Sequence, residues 1–126
     1  MTKADQRRIR RTIVAWQPML ALTDWVITIS GKEPEPGRIA QVTQKRDLRV
    51  AELRIRSDAI GVPAMENLCI LHELLHLTPQ FDKLYELMND NPVLNGHIVA
   101  VETLLDDVAR WILVAQGNNY PVPSVA

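Results

Sequence analysis

The chain has 126 residues, a formal net charge of −1 and 47% hydrophobic residues, the size and balance of one globular domain around one core. The near-neutral charge and an aromatic content of 5% argue against nucleic acid and an anionic membrane as partners. Cys69 is the single cysteine, which excludes an intrachain disulfide and a four-cysteine zinc ribbon, so a metal site must draw mainly on His, Asp and Glu. The polar N-terminus lacks the apolar segment of a signal peptide, and no apolar run reaches the ~18 residues that span a bilayer. The expectation is a cytoplasmic protein forming one compact domain over residues 1–126, with 118–126 as a loose tail.

In chain order, Ile9, Ile13, Trp16 and Leu20 recur at helical spacing and predict a helix over residues 3–22, with Pro18 disturbing its last turn. Arg7, Arg8, Arg10 and Arg11 are expected on its solvated face. Residues 25–30 and 39–44 predict strands, separated by a loop carrying Pro34 and Pro36. Residues 49–56 give the clearest strand: Ala51, Leu53 and Ile55 alternate with Glu52, Arg54 and Arg56. Arg46-Asp47 is the expected turn before it. Short connections suggest an antiparallel sheet of about three strands.

Residues 64–77 predict a helix that is apolar nearly all round and therefore buried, with Pro63 at its start and Pro79 beyond its end. A short helix follows over 80–90. A long one runs from about 94 to 115, with Ile98, Val101, Leu105, Val108, Ala109 and Ile112 as its apolar stripe. The fold class is α+β. Trp16, Trp25 and Trp111 are expected in the core or at its boundary, and Cys69 as a small buried residue.

The buried helix carries His72-Glu73-Leu74-Leu75-His76, the pattern H-E-x-x-H. At i and i+4 both imidazoles project from one face, a spacing that Zn²⁺ can bridge with bonds of roughly 2.0–2.1 Å. Glu73 then lies beside the open coordination position, where it can take a proton from an attacking water. Two histidines and a glutamate in an apolar helix are costly without partners, and a bound metal supplies one.

A zinc hydrolase usually has three protein ligands. Glu102 is the leading third candidate, because helical phase places it within the apolar stripe of its own helix, beside Leu105 and Ala109. Asp106, one turn on, is placed to accept a ring N–H and orient one of the histidines. His97 is the second candidate and Asp82, six residues after His76, the third. Tyr85, His97, Arg110 and Tyr120 are candidate stabilisers of an oxyanion.

His72-Glu73-Leu74-Leu75-His76 followed by Glu102-Thr103-Leu104-Leu105-Asp106 resembles the gluzincin metallopeptidases, which pair an H-E-x-x-H helix with a glutamate helix carrying E-x-x-x-D. The order of elements resembles the smallest members, the minigluzincins, and similar compact domains occur among phage and prokaryotic metallopeptidases. One departure is the stretch of residues 77–101 between His76 and Glu102, longer than in the thermolysin-like enzymes. The resemblance implies one Zn²⁺ held by His72, His76 and Glu102, Glu73 as general base and Asp106 as a supporting residue. It also implies an extended peptide or protein substrate paired with an edge strand near Arg49–Arg56. Two other readings stay open. One is a non-catalytic, zinc-stabilised structural or regulatory domain. The other is a SprT-like, DNA-associated metalloprotease with His97 as third ligand and the N-terminal arginines on DNA.

Overall fold

Thr2 starts the first helix. Its hydroxyl accepts from the Asp5 amide at 3.0 Å, and the Asp5 carboxylate accepts from the Thr2 amide at 3.0 Å, a reciprocal cap that satisfies two otherwise orphaned donors. The computed structural model, which describes residues 1–91 and 98–116, extends this helix, α1, over Lys3–Met19. It stops short of residue 22, where Pro18 loosens the last turn and Ala21 takes a positive φ of 56°. Ile9, Ile13 and Trp16 form its buried face.

The expected solvated arginine face is corrected at Arg8, while Arg7, Arg10 and Arg11 are exposed as expected. Arg8 turns inward and grips Glu66 with two bonds, Nε to Oε1 at 2.8 Å and Nη2 to Oε2 at 2.6 Å. Arg10 donates to the Ile27 carbonyl. Glu66 is only 3% exposed and also accepts from the Gly61 amide at 2.7 Å. Its carboxylate therefore ties α1 to the start of the central helix. Glu66→Ala leaves the largely buried Arg8 guanidinium with only Asp5, at 2.9 Å, and orphans the Gly61 amide, and should destabilise the fold by about 2–4 kcal/mol. Urea denaturation checks this; a loss below ~0.5 kcal/mol would make the pair a surface ornament.

Strands β1 (Val26–Ile29), β2 (Ala40–Lys45) and β3 (Val50–Ile55) form one sheet in the order β1-β3-β2. The sheet is mixed, which corrects the antiparallel expectation. β2 and β3 pair antiparallel, Ala40 opposite Ile55 and Lys45 opposite Val50, while β1 runs parallel to β3, Val26 opposite Val50. Residues 30–39 are long enough to carry the chain past the place where β3 later inserts, so β1 and β2 end on opposite edges. β3 is thus the central strand, and the edge strand expected near Arg49–Arg56 is instead β2. The alternation of β3 holds: Ala51, Leu53 and Ile55 are buried, while Arg54 pairs with Glu52 on the other face at 2.9 Å. The expected turn at Arg46-Asp47 is a short 3₁₀ turn, Arg46–Leu48, closed by Arg49 at φ 52°.

α2 (Pro63–Leu77) begins with its proline at the first helical position, where the missing N–H costs nothing. It is the core helix, with Cys69, Ile70, Leu71, Leu74, Leu75 and Leu77 buried. Thr78, in an extended conformation, is the single residue between α2 and α3 (Pro79–Asp90). α4 (Ile98–Ala115) lays Val101, Leu105, Ala109 and Leu113 against the core. Trp16 and Trp25 are buried as expected, but Trp111 is 63% exposed, because it lies well around α4 from the Val101–Leu105–Ala109 stripe. Among the described residues no helix is long and apolar enough to cross a membrane.

Candidate metal centre

The site lies where α4 crosses the exposed side of α2, with α3 and β2 as flanks. His72 and His76 project from one face of α2, their ring centroids 5.2 Å apart. Across from them α4 presents Glu102 and, one turn later, Asp106. His72 Nε2 is 2.9 Å from Glu102 Oε2, His72 Nδ1 is 2.6 Å from Asp106 Oδ1, and His76 Nε2 is 3.4 Å from Glu102 Oε1. Tyr85 of α3 donates its hydroxyl to Glu102 Oε1, and its ring lies 5.2 Å from that of His76.

Two imidazoles and a carboxylate are the donor chemistry that holds a tetrahedral zinc ion. Bonds of roughly 2.0–2.2 Å put neighbouring ligand atoms about 3.3–3.6 Å apart. His76 Nε2 lies 3.4 Å from Glu102 Oε1, a separation of that size, while His72 Nε2 meets the other oxygen, Oε2, at 2.9 Å, a direct hydrogen bond that a metal would replace. Asp106 occupies Nδ1 of His72, which leaves Nε2 as the coordinating atom, the usual arrangement of a metal-binding histidine and its supporting carboxylate.

Glu73 is the second carboxylate facing the histidines. One ligand atom from each of His72, Glu73 and His76 lies within 4.8 Å of the others. Its Oε2 is 3.7 Å from His72 Nε2, farther than Glu102, which reaches both rings. Glu73 is 8% exposed. Burial pushes its carboxyl above the usual carboxylate range, His72 and His76 pull it back, and Glu102 adds to the rise. A buried carboxylate poised in this way beside an open cleft suits proton transfer.

Burial works against a charge on His72, but Glu102, Glu73 and Asp106 outweigh it and push its pKa up to about 9. Burial likewise favours neutral Glu102, yet hydrogen bonds from His72, His76 and Tyr85 hold its carboxyl well below the usual range. Tyr85 is pushed up by burial and by Glu102. In the metal-free protein the raised His72 pKa has a defined sign. The stabilisation is fully present below about pH 6.5, the ordinary histidine value, and is lost as the pH rises through about 9. The melting temperature with chelator present should therefore fall across this window, and His72→Gln should remove that slope. A pH-independent melt would show that His72 carries no such charge.

The other expected positions separate clearly. Asp82 pairs with Arg46 at 2.9 Å and lines the polar cavity beside His76, with no ion pair to either histidine among the described residues. Cys69 lines the cleft, but burial pushes its thiol up to about 12, so it stays protonated and is a poor ligand. Arg110 lines the same cleft. His97 and Tyr120 lie outside the described residues.

Above the centre is an open cleft of 720 Å³ bounded by β2, α2 and α4, and a polar cavity of 520 Å³ adjoins it between Gln44, His76 and α3. Two contributors have no signal in the motif: β2 as the cleft's wall, and Arg38 on the loop before it. Comparison of the chain with protein-family models, with curated proteins and with solved structures found no match.

Proposed function

We propose that this chain is a zinc-dependent metallopeptidase, with His72, His76 and Glu102 as ligands, Asp106 orienting His72 and Glu73 as general base. The observation that carries this is the convergence of Glu102 on both Nε2 atoms, at 2.9 and 3.4 Å, beside an open cleft. Zinc held there would polarise the scissile carbonyl and make a water nucleophilic at neutral pH. Glu73 takes the proton of the attacking water and delivers it to the leaving amine. Tyr85, with its hydroxyl on Glu102, positions that carboxylate. An extended peptide would add to the outer edge of β2, main chain to main chain, beside the Val42 amide that faces Glu73, with its reactive carbonyl over the histidines.

One observation favours a second reading. Glu73 is close enough to His72 to join His72, His76 and Glu102 as a fourth protein ligand, which would make a closed, structural zinc site. The open cleft and the greater distance of Glu73 favour the peptidase. The deciding experiment is metal analysis of the purified protein together with cleavage of an unfolded protein substrate, with and without chelator. One zinc per chain and chelator-sensitive cleavage are expected. A folded, metal-free and inert chain would overturn the proposal.

A further inference from the structure

Away from the metal ligands, the cleft has an unequal supply of charge. Its carboxylates are Glu73, Glu102 and Asp106, all engaged at the centre. Its other charged groups are Arg38 and Arg110. Arg38 is more than half exposed and has only a loose, 3.8 Å contact with Glu35, itself more than half exposed. Arg110 has no ion-pair partner among the described residues. Between them the cleft is apolar, with Ile39, Met65 and Leu68.

The chain directions bring both arginines to one end of the cleft. Arg46, just past the end of β2, donates to the carbonyl of Leu77 at the end of α2 at 3.1 Å. The start of β2, and Arg38 before it, therefore lies toward the start of α2, in the cleft wall shared with Met65 and Leu68, and the Arg38 charge reaches as far as Tyr85. α4 runs the other way: Glu102 meets His76 and His72, and Asp106 meets His72. The next turn brings Arg110 level with Leu68. One helical turn is about 5.4 Å along the axis and an extended peptide advances about 3.3 Å per residue, so this end lies roughly two to three peptide residues from the histidines.

We propose that Arg38 and Arg110 bind a carboxylate of the substrate, so that the site selects peptides with an acidic side chain or a free C-terminus within about three residues of the cleaved bond. The substrate class rests on the metallopeptidase proposed above; the carboxylate site itself rests only on the two guanidiniums. Guanidinium forks suit a carboxylate geometrically, and an ammonium replaces them only in part.

The test uses a peptide pool from a digested proteome in two arms. In one, the pool is incubated with the zinc-loaded protein and cleavage is mapped by mass spectrometry. In the other, it is passed over immobilised, zinc-loaded Glu73→Gln protein, and retained peptides are sequenced. Both arms should be enriched in carboxylates at a fixed distance from the site. Neutralising that group in the best peptide should lower kcat/KM and retention roughly tenfold. Loss on Glu→Gln substitution assigns an acidic side chain, and loss on C-terminal amidation assigns the free C-terminus. The double change Arg38→Gln with Arg110→Gln should bring the acidic-to-neutral ratio to about one with zinc content unchanged, and Arg110→Lys should keep part of it. Cleavage indifferent to both peptide changes overturns the inference and leaves the peptidase standing. Carboxylate-biased retention with no cleavage of any peptide overturns the peptidase and leaves the carboxylate site. Neither bias nor cleavage overturns both.

Discussion

Glu73→Gln should cut peptide cleavage by roughly 10²–10⁴-fold, the usual contribution of a positioned general base, while zinc content stays the same. The substitution keeps the side chain's size and removes its ability to take a proton. Glu73 lies 3.7 Å from His72 Nε2, whereas Glu102 touches the same atom at 2.9 Å, so the metal should not notice the change. Burial holds the Glu73 carboxyl above its ordinary pKa, so neutralising it also removes a desolvated charge, and the variant should be at least as stable as the parent. Equal cleavage by both proteins would strip Glu73 of its role. Loss of zinc from the variant would make Glu73 a ligand and the site structural.

The second large effect is on metal affinity. Glu102→Ala should weaken zinc binding by more than about 100-fold, and Asp106→Asn by roughly 10–100-fold, the range typical of residues that only support a ligand. Among the described residues Glu102 alone both contacts the two histidines and takes the Tyr85 hydroxyl. Competition with a chromophoric chelator measures both variants and His97→Ala beside them. If His97→Ala proves the more damaging, the third ligand is His97 and the DNA-associated alternative gains ground.

Much of this site could be read from spacing. His72 and His76 are four residues apart in an apolar segment, and helix geometry puts them on one face whatever the tertiary fold. Glu102 and Asp106 followed from the phase of a single stripe, and the structure brings both to His72. Spacing could not reveal which elements are neighbours. The alternation in β3 shows which side chains face the core, but a central strand and an edge strand alternate alike, so β3 reads as an edge strand, whereas the edges are β1 and β2, with β2 along the cleft. The parallel pairing of β1 was hidden for the same reason. Arg8 and Glu66 are joined across a separation of 58 residues, and a basic run looks solvated until its partner folds against it. Arg38 sits in a loop, where no periodicity marks a residue as facing a cleft.

Thr78 carries a consequence for which lengths of this chain can vary. It is the whole connection between α2 and α3, buried, with its hydroxyl donating to the Leu75 carbonyl at 2.6 Å and proline immediately after it. The angular setting of α3 is thus geared directly to that of α2. One extended residue added there would lengthen the elbow by about 3.3–3.6 Å and re-aim the later helix, carrying Tyr85 away from Glu102 without changing any amino acid of the site. Substitutions at the elbow can be mild, but insertions and deletions there should be as damaging as losing a ligand.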